Sequence, residues 1–306
     1  MELEEIDFGY ACISSIIEDC SPAKTVQLGR YRDLEDDESK IFRVERVSRK
    51  NLENTIRLLW HNISEDIKLY RFTSQLIPLA NHPEGQIWDF REVLSDQLSK
   101  IGRIVKKHSL KVSTHPGQYT VINTKYDEKF KNAVRDLVYH DRVLSAMGLD
   151  ERAIMVTHVG GVYNDKEGSM ERFISNFKKL PESVQNRLVI ENDDTSYTIK
   201  DVLEICQTLD RPMVLDVHHH QYNNQGEELT EYLPDIFATW EDIDRPPKVH
   251  FSGPRSEKHP LRHADYIDVD DFLDFYEKAR DYKFDVMLEA KRQDKALMKL
   301  REELGI

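Results

Sequence analysis

The sequence predicts an α/β protein: a single (β/α)8 TIM barrel over residues 1–306, with a metal cluster at the C-terminal ends of its strands. Six apolar, β-rich segments each end in a metal-ligand side chain: KVSTH at His115, AIMVTH at His158, LVIE at Glu191, PMVLD at Asp216, KVH at His250 and DVMLE at Glu289. Successive ends lie 25 to 43 residues apart, and a strand–helix–strand unit takes about 30. Such alternation means a parallel sheet. In a closed parallel barrel the chemistry gathers at the C-terminal ends of several strands, where the backbone leaves the packed core.

Two earlier segments, IDFGYAC (6–12) and IKLYRFTSQL (67–76), complete a count of eight strands. Helical periodicity lies between them. In IWDFREVLSDQLSKIGRIV (87–105) the residues Ile87, Phe90, Leu94, Leu98, Ile101 and Val105 fall on one stripe, and VDDFLDFYEKARD (269–281) precedes the last strand. Residues 13–41 have little periodicity and read as an extended loop after the first strand.

The 306 residues are 39% hydrophobic, enough for a large core. No apolar run reaches the length of a membrane span, and MELEEIDFGY lacks the basic-then-apolar order of a signal peptide. The expected location is therefore cytoplasmic, with no membrane partner, and no protein partner is readable. Three cysteines without CxxC spacing suit reduced thiols. A net charge of −13 argues against a nucleic-acid partner, but the distribution is uneven. Residues 40–57 carry six basic side chains against two acidic ones, and Arg255, Lys258, Arg262, Lys291 and Arg292 follow the last two strand ends, where a substrate would sit.

His115, His158, Glu191, Asp216, His250 and Glu289 mix imidazole with carboxylate, which suits Mn²⁺, Fe²⁺ or Zn²⁺ and excludes a soft thiolate site. Within LDVHHH (215–220) strict alternation would put His218 and His220 on the face of Asp216. A strand that ends at Asp216 releases that rule, and Asp-x-x-His spacing then favours His219 as the ligand. Lys248 shares a strand face with His250. Beside metal ions it must be deprotonated, offset by a substrate phosphate, or converted by CO₂ to a bridging carbamate. After His115, the Pro116–Gly117 turn presents Gln118 and Tyr119 together at the barrel mouth, as a pair able to wedge into a base stack. Tyr10 is ambiguous in the same way.

Taken in order, GYAC (9–12), YRFTSQLIPLANH (70–82), THPGQY (114–119), HVGG (158–161), IEND (190–193), LDVHHH (215–220), KVHFSGPR (248–255) and MLEAKRQDKAL (287–297) resemble the ultraviolet damage endonuclease family. The resemblance runs from the first strand to the last. It implies duplex DNA carrying ultraviolet photoproducts as substrate, a nick on the 5′ side of the lesion, and a cluster of two or three Mn²⁺ ions, with Mg²⁺ or Zn²⁺ as second choices. It makes His115, His158, Glu191, Asp216, His219, His250 and Glu289 metal ligands, adds Lys248 as an N-carboxylated ligand, and makes Gln118, Tyr119 and Tyr10 probes of the duplex, with Arg255 a DNA contact. His82 and His263 become active-site groups near the scissile phosphate, alongside Glu191 and Lys248. Ser14 departs from the Asn common in the family after GYxC. The related endonuclease IV pattern carries Asp-x-His on the seventh strand where this chain has Lys248-x-His250, and sugar isomerases of the same barrel class are the non-nuclease alternative.

Overall fold

The structure, a computed structural model, describes residues 2–306. Its eight strands are β1 (Phe8–Ala11), β2 (Leu69–Phe72), β3 (Lys111–Thr114), β4 (Ile154–His158), β5 (Leu188–Glu191), β6 (Met213–Asp216), β7 (Lys248–Phe251) and β8 (Asp285–Leu288). All pair in parallel with their sequence neighbours, and β1 pairs with β8, so the sheet closes. The expected barrel is present.

Side chains alternate along each strand, so one parity lines the barrel and the other faces the helices. Ile154, Val156, Val189 and Val214 pack together with Trp240. They share parity with the strand ends: Ile154 and Val156 with His158, Val189 with Glu191, Val214 with Asp216. Lower in the barrel, Lys111 bridges Asp285 at 2.7 Å, and one level higher Lys248 Nζ donates to Ser113 Oγ at 2.7 Å. The interior is therefore layered, with ion pairs toward the bottom, aliphatic packing across the middle, and the His and carboxylate ends on top. Gly9 keeps β1 close to β2, because a Cβ there would stand 2.2 Å from that of Leu69.

The opposite parity forms the larger core against the helices, with Phe8, Tyr10, Tyr70, Phe72, Leu188, Ile190, Leu215, Phe251 and Val286 buried. Among the described residues no helix is long and apolar enough to cross a membrane. The three cysteines are unbridged.

Two sequence expectations are corrected. The stripe over 87–105 is broken at Leu94 into helices Phe90–Val93 and Ser95–Lys107, and Ile87 is partly exposed ahead of them. Within 13–41, Leu28–Arg32 is helical and a long helix Asp37–Ser64 starts early, its first turn capped where the Asp36 carboxylate accepts from Ser39 N–H at 2.6 Å. The basic run at 40–57 lies along that helix and is partly satisfied internally: Arg49 pairs with Glu45 at 2.8 Å, Lys50 approaches Glu53 at 3.8 Å, and Arg57 donates to the carbonyl of Asp19 at 3.0 Å.

The helix Ser95–Lys107 touches backbone at Gly102, where a Cβ would fall 1.6 Å from the Met147 carbonyl oxygen. Gly102→Ala should lower unfolding stability by about 2–3 kcal/mol through forced separation, read as a drop in urea midpoint at unchanged slope; wild-type stability would show that the contact yields.

Candidate metal centre

Glu191 ends β5 with its carboxylate fully buried, and four imidazoles converge on it. His250 Nδ1 lies 2.6 Å from Oε1, His115 Nε2 3.2 Å and His158 Nε2 3.5 Å from Oε2, and His219 Nδ1 4.0 Å from Oε1. Strand register sets these distances. His158 is level with Glu191, and Asp216 is level with His250. Asn192 locks β5 to β6 side by side: its Oδ1 accepts from Asp216 N–H at 2.8 Å and its Nδ2 donates to Asp216 O at 2.9 Å.

After Asp216 the strand does not continue. Val217–Tyr222 forms a short helix with Asp216 as its N-cap, its carboxylate accepting from His219 N–H at 2.8 Å. One helical turn then places His219 Nδ1 3.5 Å from the same carboxylate. His218 is buried against Tyr222 and His263 instead, and His220 lies buried beside Val217, so neither joins the cluster.

Glu289, one residue past β8, sits 3.4 Å from His250 Nδ1 and is held by Arg71 at 2.5 Å. Arg71 escaped the sequence reading. A charged residue of inward parity inside the apolar run LYRF was the signal. Ser252 was missed as well. Its Oγ lies 2.6 Å from His263 Nδ1, and the ring's other nitrogen stands 3.5 Å from Glu289. His263 reaches the site because Arg255 N–H donates to Arg262 O, a β-bridge joins Pro254 to His263, and the loop folds back on itself.

Three triads have donor atoms close enough to hold an ion: His115–His158–Glu191, Glu191–His250–Glu289 and Glu191–Asp216–His219. Glu191 belongs to all three. Their hydrogen bonding suits a cation between them. His115 Nδ1 is 3.0 Å from the Pro116 carbonyl and so carries a hydrogen, which leaves a lone pair on Nε2 facing the Glu191 carboxylate. Two acceptors at that separation need a proton or a metal. Asp216 Oδ2 is buried with no hydrogen-bond partner, as are His158 Nδ1 and His250 Nε2, the ring nitrogens other than those nearest Glu191.

Electrostatics agree. Burial opposes ionisation of Glu191, but His250 and His158 overrule it and hold its carboxyl well below the usual range. Burial also raises the carboxyl of Asp216 well above its ordinary value, with Glu191 and Glu289 adding to it. Burial works against the imidazolium of His219, yet Asp216 and Glu191 lift it to about 9. Burial pushes the Lys248 ammonium well below its ordinary range, with Arg245 and Arg71 adding repulsion.

The remaining sequence candidates are placed less uniformly. Tyr119 is 85% exposed, with Gln118 exposed beside it on a turn closed by Thr120 N–H to Gly117 O. Arg255 is exposed on the loop after β7. Tyr10 has the wrong parity: it points outward, fully buried, and its hydroxyl donates to Asn62 Oδ1 at 2.9 Å, so a DNA contact would require opening the helix layer. His82 caps the turn Pro83–Gly85, where its Nδ1 accepts from Glu84 N–H at 3.2 Å. It touches none of the cluster among the described residues. Ser14 is buried against the Asp294 carboxylate and fastens the loop after β1, so the departure there alters packing rather than an exposed DNA contact.

A model of the family described as UV-endonuclease UvdE matches residues 6–306. The chain belongs to that family. It is 42% identical over 304 residues to the UV DNA damage endonuclease of Bacillus cereus strain B4264, covering 98% of this chain and 95% of that protein. The crystal structure of SacUVDE superposes with a TM-score of 0.87 at 33% identity, covering 98% of this chain and 99% of that one. Endonuclease IV from Thermus thermophilus superposes with a TM-score of 0.56 at 12% identity over 98% and 99% of the chains, a likeness of fold alone. Membership in the UV-endonuclease family makes this an endonuclease with DNA as its substrate class.

The lowered affinity of Lys248 for its proton has a stability consequence. Its proton must leave on folding at any pH between its depressed value and the ordinary 10.4, so the unfolded chain binds more protons there and stability rises with pH. Lys248→Met removes that dependence. In metal-free, CO₂-depleted buffer the variant should be more stable than wild type at pH 7, with the gap closing by about 1.4 kcal/mol per pH unit at most as pH approaches 10. Parallel urea-midpoint curves for the two proteins would mean that Lys248 folds charged.

Proposed function

We propose that the chain nicks duplex DNA immediately 5′ to ultraviolet photoproducts, leaving 3′-OH and 5′-phosphate ends, with Mn²⁺ as the metal and the whole chain acting as one barrel domain. The observation that carries this reading is the Glu191-centred cluster at the barrel mouth, next to the exposed Gln118–Tyr119 turn, in a chain of this family. His115, His158, Glu191, Asp216, His219, His250 and Glu289 would hold two or three ions. When bound, such ions supply an activated water and stabilise charge on the leaving oxygen.

The protein's own residues do the positioning. Pro116 O fixes the His115 ring with Nε2 turned to the cluster, Asn192 ties the end of β5 to the Asp216 backbone, and Arg71 orients Glu289. His263, backed by Ser252, stands over Glu289 where a phosphate oxygen would enter. Burial favours the deprotonated amine of Lys248, the form that adds CO₂: nitrogen attacks carbon, a carbamate forms and one proton leaves to solvent. That carbamate would extend the ligand set. Gln118 and Tyr119 probe the duplex. A photoproduct weakens stacking, so extruding it costs less than extruding intact bases, and the turn fills the gap left behind. Arg255 contacts the backbone.

The test is Mn²⁺-dependent nicking of an end-labelled duplex with one cyclobutane pyrimidine dimer, run beside abasic and undamaged duplexes. Incision 5′ to the dimer is expected. Cutting at the abasic site alone would overturn the lesion assignment. Glu191→Gln should slow incision by at least about 100-fold while DNA affinity stays within a few-fold, and an active variant would remove Glu191 from the centre. Replacing Gln118 and Tyr119 together with Ala should abolish preference for the dimer without lowering bound Mn²⁺; intact discrimination would sink the wedge.

A further inference from the structure

The loop after β3 continues past Tyr119 to a second exposed aromatic. Tyr126, half exposed, carries Lys129 over its ring at 4.9 Å and Lys125 at 5.6 Å. Lys125 also stands 5.5 Å from the ring of Tyr163 on the loop after β4, whose other neighbour is the Arg172 guanidinium at 5.4 Å. Two tyrosines and three cations thus interleave across the loops after β3 and β4 and the helices that follow them.

The cluster is built on a firm base. Asn123 Nδ2 donates to Gly161 O at 2.7 Å, tying the two loops, and Arg172 Nε donates to Asn123 O at 3.0 Å. Both lysines are exposed and have no carboxylate partner among the described residues. Of the nearby acids, Glu128 pairs with Lys131 at 2.6 Å; Asp127 stays exposed in the first helical turn. A lysine lying along a phenol face keeps its N–H donors free for an anion, and an aromatic face offers a flat surface to sugar or base.

The barrel order places this cluster. In a closed ring of eight, β3 and β4 lie opposite β7 and β8. From that far side rises the loop with Arg255, Lys258 and Arg262, all exposed and none paired with a carboxylate among the described residues. On a chain of net charge −13 these are two cationic positions on opposite rims, with the Glu191 centre between them.

We propose that Lys125, Tyr126 and Lys129, buttressed by Tyr163 and Arg172, form a separate DNA contact that grips the sugar–phosphate backbone flanking the damaged site, so that the duplex crosses the mouth from the β3–β4 rim to the β7–β8 rim. The proposal rests on the DNA-incision reading above. It commits to backbone contact, which makes the grip independent of damage and dependent on salt.

The experiment compares the full-length wild type with the double variant Lys125→Glu, Lys129→Glu, and with Lys125→Gln, Lys129→Gln as a milder pair. Binding to dimer-containing and undamaged duplexes is followed by fluorescence anisotropy from 50 to 200 mM salt. The Gln pair should weaken both duplexes alike and lower the log–log salt slope by about 2, one for each phosphate no longer neutralised. The Glu pair should weaken both by at least about tenfold. Duplexes trimmed on one flank or the other then locate the grip: wild type and variant should converge when one flank, and only that one, is removed. An unchanged slope, or a weakening that persists whichever flank is trimmed, overturns the proposal. Failure of wild type to nick a dimer duplex while these binding differences remain would overturn the incision reading and leave the backbone grip standing. Unchanged melting temperature and bound Mn²⁺ verify folding.

Discussion

One buried carboxylate organises the top of this barrel. Glu191 lies within 4.0 Å of four imidazoles drawn from β3, β4, β7 and the helix after β6. Bringing an ionised carboxylate out of water costs several kcal/mol unless charge and hydrogen bonds replace the lost hydration. The rings replace part of it by hydrogen bonding, but they bring compensating charge only as imidazolium, and burial works against the imidazolium at His158 and His250. A divalent ion removes the conflict, since neutral imidazoles and ionised carboxylates are the states that a metal prefers. The bare atoms of Asp216, His158 and His250 then become ligand or outer-sphere positions rather than defects.

Strand parity explains both what was legible in the sequence and what was not. The six His, Asp and Glu ends could be read because each apolar run ends abruptly in a group that cannot stay in an aliphatic layer, and the interior of the barrel mouth is the place that accepts it. Parity also puts Lys248 one layer below His250, as alternation required. The same rule worked against Tyr10, because FGYA holds no polar residue to fix its phase. The structure turns Gly9 inward against Leu69 and Tyr10 outward to Asn62. His82 was carried by its motif alone, and nothing in LIPLANH specifies the turn at Pro83 that its ring caps.

LDVHHH was undecided on alternation and settled by capping. Once Asp216 accepts from His219 N–H, the next residues are helical, and position i+3 returns to the side of the cap. The spacing of the ligand pair follows from the shape of a helix N-terminus, where the first N–H groups lack partners within the helix. Asn192 had no such sequence signal. Its role as a bracket between strand ends is visible only when β5 and β6 stand together, and the same holds for Ser252, which lies eleven residues from the ring it contacts.

Charge in the interior is balanced by height. At the bottom, Lys111 answers Asp285 and Asp7. At the top, Arg71 answers Glu289. Between them Lys248 donates to Ser113 and makes no ion pair among the described residues, while Arg245 and Arg71 repel its charged form. A leucine or methionine of similar volume would fill the layer without a desolvation cost, so packing alone gives no reason for an amine there. A lysine whose deprotonated form is favoured by burial is a nucleophile and a potential ligand. Adding CO₂ would turn the residue from a cation that divalent ions repel into an anion that they attract.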